Sequence, residues 1–164
     1  MAWMRREEGF TLLELMAALA ILGFVVTAIY SFYLAGLKSW QRGLDQIEYR
    51  QSARIAMDKM IRELRYACEV KTDKAGVVEF KIRDDDKLTY RFRTEYEQLV
   101  FESINKNGTV KSHTKVAFHI AELAFSYDDH TGMLHIRISA GRAPETVTLT
   151  SSIRPRNITC PENG

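Results

Sequence analysis

The sequence is poor in the residues that make small folds rigid or reactive. It has two cysteines and three prolines. Two cysteines are too few for a disulfide-dense miniprotein or a four-cysteine zinc site. The four histidines, His113, His119, His130 and His135, form no H-E-x-x-H pattern. His119 and His135 lie in strand-like runs, where a hydrogen-bonded structural role is expected. There is no G-x-S-x-G elbow and no glycine-rich phosphate loop. No catalytic residue, metal ligand or cofactor is therefore expected. Neither sign of charge dominates: 23 Lys+Arg against 21 Asp+Glu give +2, which supplies no strong pull toward nucleic acid or acidic lipid. At 164 residues, 46% apolar and 27% charged, the chain suits one domain and is neither disordered throughout nor collagen-like.

Charge is also missing locally. From Leu15 to Leu37 there is no charged residue. As a helix, that stretch covers about 34 Å, enough to cross a bilayer core. Its bulky residues point in every direction, as in a helix that lies in a membrane or inside a packed assembly. The run extends back to Phe10 with one charge, Glu14. Before it sits MAWMRREEG, a start made basic by Arg5 and Arg6 and offset by Glu7 and Glu8. The apolar run is about twice as long as the roughly 7–15 residues of a cleaved secretory signal, and no A-x-A site stands out at its end. One reading is an uncleaved single-pass anchor, with Arg5 and Arg6 keeping the N-terminus cytoplasmic and the rest extracytoplasmic. A carboxylate in hydrocarbon costs about 2.5–3.5 kcal/mol, so Glu14 calls for a partner. Were the chain cut after Gly9, the α-amine of Phe10 on one subunit would suit the Glu14 carboxylate of the next.

The stretch GFTLLELMAALAIL, Gly9 to Leu22, resembles the signal of type IV prepilins. That class is shared by type IV pili, type II secretion pseudopili and competence pseudopili. The resemblance implies a leader of residues 1–9, cleavage between Gly9 and Phe10, and N-methylation of Phe10 by the same membrane peptidase. It gives Glu14 the assembly position. Glu7 and Glu8 depart from the usually basic leader. The implied partners are other pilins or pseudopilins, the prepilin peptidase and the inner-membrane assembly platform. The implied location is the cytoplasmic membrane, then a pilus or pseudopilus, and the implied role is structural rather than enzymatic.

Downstream, the helix is expected to continue. From Lys38 to Cys68 there is no proline, and glycine occurs only at Gly43. Trp40, Leu44, Ile47, Gln51, Arg54/Ile55, Asp58, Ile61, Leu64 and Cys68 fall at three- or four-residue steps, the mark of one buried stripe. The period then changes. Val78-x-Phe80-x-Ile82 and Leu88-x-Tyr90-x-Phe92 alternate around Asp84-Asp85-Asp86, which reads as a hairpin. Leu99-x-Phe101, Val116–Phe118, Leu123-x-Phe125-x-Tyr127, Leu134-x-Ile136-x-Ile138 and Val147-x-Leu149 follow, with turns at 105–108 and 128–132. The expected fold class is α+β: a long helix, hydrophobic then amphipathic, packed on an antiparallel β-sheet domain. Given the resemblance, this is a pilin-like architecture, with a hydrophobic helix over 10–37 and a pilin domain over 38–164. QSARIAMDKMIRELRYA, an N-G loop, a Leu-Ala-Phe-Ser-Tyr strand and a terminal Arg-Pro-Arg-Asn resemble PilW-type minor pilins and J-type pseudopilins. That implies a minor subunit at or near a filament tip.

Other features stay open at this level. Asp84-Asp85-Asp86 are either a polar turn or part of a calcium site. Cys68 and Cys160 are either bonded, as an extracytoplasmic location permits, or two separate thiols. Tyr90-Arg91-Phe92-Arg93 reads as a strand with an apolar and a solvated face, or as a DNA-contacting strand of a competence pseudopilin. A signal-anchored extracytoplasmic domain outside the prepilin class is the remaining alternative.

Overall fold

The computed structural model describes residues 11–82 and 87–156. One helix, α1 (Leu12–Leu64), is followed by eight strands: β1 (Ala67–Lys74), β2 (Val77–Ile82), β3 (Leu88–Glu95), β4 (Gln98–Asn105), β5 (Val110–Ala117), β6 (Ile120–Asp128), β7 (Met133–Arg142) and β8 (Glu145–Ile153). The α+β expectation holds, with one refinement. The strands form two antiparallel meanders rather than one sheet: β1-β2-β3-β4-β5 and β6-β7-β8.

The chain divides into two units, one ending at Gly43 and the other beginning at Leu44. In the first, the described residues from Leu12 onward are helix, and their bulky apolar side chains are exposed. The second holds the core. Ala53, Ala56, Met57, Met60 and Leu64 of α1 meet Val78, Phe80, Phe92 and Leu99 of the first sheet. Ile120, Leu123, Leu134, Ile136, Ile138 and Ala140 of the second sheet close the same cluster. Phe80, Tyr90, Phe92 and Phe101 stack at centroid separations of 4.8–6.4 Å. The Lys59 ammonium lies 5.2 Å from the Phe101 ring centroid, capping the stack from the helix.

Two expectations about α1 are corrected. The buried face is not the expected stripe: Trp40 is 70% exposed, Ile47 63% and Ile55 48%. Burial instead follows Ala53, Ala56/Met57, Met60 and Leu64, a stripe of small and flexible side chains. The large residues are left on the other faces. The helix also does not reach Cys68. It ends at Leu64, its last turn tightened by Tyr66 N–H donating to the Glu63 carbonyl at 3.2 Å. Cys68 sits in β1 and is buried there.

The turns separate into legible and illegible ones. Gly76, Gly108 and Gly132 have positive φ in their hairpins. Asp128 builds the β6–β7 turn by accepting from His130 N–H at 3.0 Å and Thr131 Oγ1 at 2.7 Å. The β3–β4 connection is Tyr96-Glu97, both with positive φ although neither is glycine or asparagine. His119 is a third such residue and lies between β5 and β6, not within a strand as expected. At Gly141 (φ 118°) a Cβ would come within 2.3 Å of the Glu145 carbonyl oxygen and 2.9 Å of Tyr49. Only glycine lets the end of β7 pass that close to α1.

No described residue before Ala53 is buried, so the core does not draw on the first unit. A chain starting at Leu44 is expected to be soluble and to unfold cooperatively in urea. Aggregation of that fragment would mean that exposed Leu44, Ile47 and Ile55 need cover.

Candidate functional site

Helix α1 begins with its own cap. Thr11 precedes the first helical residue, and its Oγ1 accepts the Glu14 N–H at 3.3 Å. Thr-Leu-Leu-Glu is thus a capping-box pattern, with Glu14 at the third helical position. A carboxylate there also faces the positive end of the helix dipole. This local role was missed in the sequence, although the T-x-x-E spacing signals it. Glu14 is exposed and is the one acidic residue of the first turn. Gly9 and Phe10, the expected cleavage and methylation positions, lie outside the described residues.

Between Glu14 and Lys38 the hydroxyls of Thr27 and Ser31 are bonded within the helix. Thr27 Oγ1 donates to the Gly23 carbonyl at 2.8 Å, and Ser31 Oγ to the Thr27 carbonyl at 2.9 Å. Such back-bonding satisfies hydroxyls without water. What remains at the surface is apolar: Leu12, Phe24 and Phe32 are about 80% exposed, and so to a lesser degree are Leu19, Ile21, Leu22, Ile29 and Tyr33. The helix is long and apolar enough to cross a membrane.

The second concentration of functional-looking groups lies on the outer face of the five-stranded sheet. Register pairs Glu79 with Arg91 and Arg91 with Glu102, then Glu102 with His113. Glu102 is the hub and is buried to 1%. Its Oε2 accepts from Arg91 Nε at 3.0 Å and Nη2 at 2.8 Å, and its Oε1 accepts from Arg93 Nη2 at 2.9 Å. His113 Nδ1 lies 3.1 Å from the same Oε1. The Arg93 hydrogen bond first, and those of Arg91 and His113 after it, hold the Glu102 carboxyl down at about 2 against the desolvation that opposes them. Tyr90 and Phe92 point to the opposite side, into the aromatic stack. The expected interleaved strand therefore separates into an apolar face and a charge-paired face.

The remaining candidates are dispersed. His119 Nε2 lies 3.2 Å from Glu48 Oε1, and His135 Nδ1 lies 2.7 Å from Ser152 Oγ. Asp84, Asp85 and Asp86 lie outside the described residues, among which no cluster of three His, Cys, Asp or Glu could hold a metal. Cys68 is buried, and no free thiol occurs among the described residues. Cys160 lies outside them.

Residues 4–30 match the family model for the prokaryotic N-terminal methylation motif. This span contains Gly9, Phe10, Thr11 and Glu14 and runs through the exposed apolar part of α1. The motif is that of type IV prepilin signals, and it is a feature of structural filament proteins rather than of enzymes. No curated protein matches the chain, and no solved structure does.

Glu102 has a folded-state pKa below its ordinary value. Its contribution is present in full above about 4.5 and is lost as pH falls toward about 2. Glu102→Gln is expected to cost about 2 kcal/mol at pH 7, because it strips Arg91 and Arg93 of their shared anion. Urea denaturation across pH checks this: the gap between variant and parent should narrow below pH 4.5. A gap independent of pH would show that packing, not charge, sets the cost.

Proposed function

We propose that the chain is the membrane precursor of a structural minor subunit of a type IV pilus or type II secretion pseudopilus, acting in a tip or initiation complex. The observation that carries the reading is the match to the N-terminal methylation motif over residues 4–30. An apolar helix whose bulky side chains are exposed among the described residues supports it. The peptidase removes residues 1–9 and methylates the α-amine of Phe10. The helix first holds the protein in the cytoplasmic membrane, with the β domain outside, and then moves into a filament core. Both surroundings are apolar, so the transfer changes which atoms cover the helix rather than whether it is covered. The resemblance of the downstream region to PilW-type and J-type subunits supports the minor, tip-proximal role. The Tyr90-Arg91-Phe92-Arg93 strand lends the DNA-uptake alternative no support, since Arg91 and Arg93 are paired with Glu102.

The same location permits a Cys68–Cys160 disulfide. Arg156 N–H donates to the Arg65 carbonyl at 3.0 Å, which brings the chain before Cys160 beside the residues before Cys68. Four further residues reach up to about 14 Å. A bond closing so long a loop is worth roughly 4–5 kcal/mol in the chain-entropy model.

Intact mass tests both processing and pairing. Co-expression with a prepilin peptidase in an oxidising compartment is expected to lower the mass by residues 1–9, with one methyl group added. Alkylation without reductant should add nothing. A mature protein that begins at Met1 sinks the prepilin reading, and two alkyl adducts sink the disulfide.

Glu14 carries two separable roles, a local cap and an anion for a neighbour's amine. Glu14→Gln keeps the capping-box geometry and removes the charge; Glu14→Ala removes both. If the charge serves assembly, both variants are expected to insert and be cleaved normally, yet to enter filaments at least tenfold less than the parent. Normal incorporation of the Gln variant would reduce Glu14 to a helix cap.

A further inference from the structure

We infer that the free edge of β8 is a strand-addition site that receives an extended, uncharged segment of a partner protein. This rests on the sheet alone and not on the N-terminal reading. Among the described residues β8 forms its ladder with β7 only and is the last strand of its sheet. It is nine residues long, where strands average about 5–6 and edge strands are usually kept shorter.

Edge strands are normally defended by charge, proline or a bulge. The other edges of this fold follow that rule. β1 carries Glu69, Lys71 and Lys74, and its ladder is irregular. β5 carries Lys111, His113 and Lys115, and its ladder is irregular too. β6 has a register shift and packs against β1, β2 and β3. Past its first residue, Glu145, β8 has none of these devices. Thr146 to Ile153 contains no charge, proline or glycine. Its register with β7 runs unbroken from Arg142↔Glu145 to Leu134↔Ile153.

The chemistry of the edge selects its occupant. Thr146, Thr148, Thr150 and Ser152 are exposed on one face, while Val147, Leu149 and Ile153 are half-buried on the other. An incoming strand with hydroxyl residues on the first face and β-branched residues on the second would pair with the former and complete the cover of the latter. A charged strand would find no counter-ion between Thr146 and Ile153. Pro144 and Pro155 flank the strand and limit the added ladder to its length, since neither offers an N–H.

The test uses the full-length protein in detergent micelles. The probe is a synthetic peptide of alternating threonine and valine, with lysines only outside the pairing segment. Backbone amide exchange is followed in β8, with β5 as the internal comparison. The probe is expected to slow exchange in residues 145–153 by about tenfold or more and to leave β5 unchanged. The double variant Thr148→Lys/Thr150→Lys, both at exposed positions, should keep the parent's melting midpoint and lose the effect; if its midpoint falls, Thr148→Lys alone replaces it. No slowing in the parent, or equal slowing in the lysine variant, overturns the proposal.

Discussion

The bulky apolar side chains of α1 between Leu12 and Leu44 are exposed among the described residues. Each such side chain left in water forgoes about 1.5–3 kcal/mol of burial, so the sum over the helix is tens of kcal/mol. That deficit exceeds the stability of an ordinary domain several-fold. Such a surface calls for apolar cover from outside the described residues. The hydroxyls of Thr27 and Ser31 are bonded to the helix's own carbonyls, so these two groups do not ask for water. Its one acidic residue before Leu37, Glu14, sits in the first turn, where the helix dipole and the Thr11 cap favour it.

The same helix meets a different constraint after Leu44, and here the sequence misleads. Reading the largest apolar residues as the core face selects Trp40, Leu44, Ile47 and Ile55. The core selects Ala53, Ala56, Met57 and Met60 instead. Both sheets contribute to the cluster that buries this part of the helix, and its helix side is made of small or adaptable side chains. Alanine is a weak hydrophobic signal, so a pattern weighted by bulk points to the wrong side. The helix's existence and its apolar start were legible, whereas its end at Leu64 was not, and its cap was overlooked although the T-x-x-E spacing carries it.

The sheets show a similar division. Strands with alternating bulky residues, such as β2, β3 and β7, stand out from sequence because both rows of the pleat are marked. β1 and β5 do not, because as edge strands they bury little and carry lysines that mimic a loop. Turns built on Gly108 or on Asp128 announce themselves through residues that favour those conformations. The Tyr96-Glu97 turn does not, since it places two ordinary residues at positive φ at a cost of about 1 kcal/mol or more each. The rest of the fold holds that turn in place: the Glu97 carbonyl accepts the Ile120 N–H at 2.8 Å, and its carboxylate accepts from Arg142 at 3.1 Å.

Arg91 and Arg93 show why a linear motif can point to the wrong chemistry. Read along β3, they alternate with Tyr90 and Phe92 and suggest a surface for stacked bases and phosphates. The pleat sends the two kinds of residue to opposite faces, and the aromatics are consumed by the core. The arginines are consumed by Glu102, which lies on the neighbouring strand. Binding to nucleic acid draws its strength from releasing the counter-ions that neutralise phosphates. A guanidinium already held by a buried carboxylate must break that pairing first, leaving Glu102 buried and uncompensated, which costs several kcal/mol. Along β3 this face is basic in composition, but Arg91 and Arg93 are paired with Glu102, so their charge serves the fold.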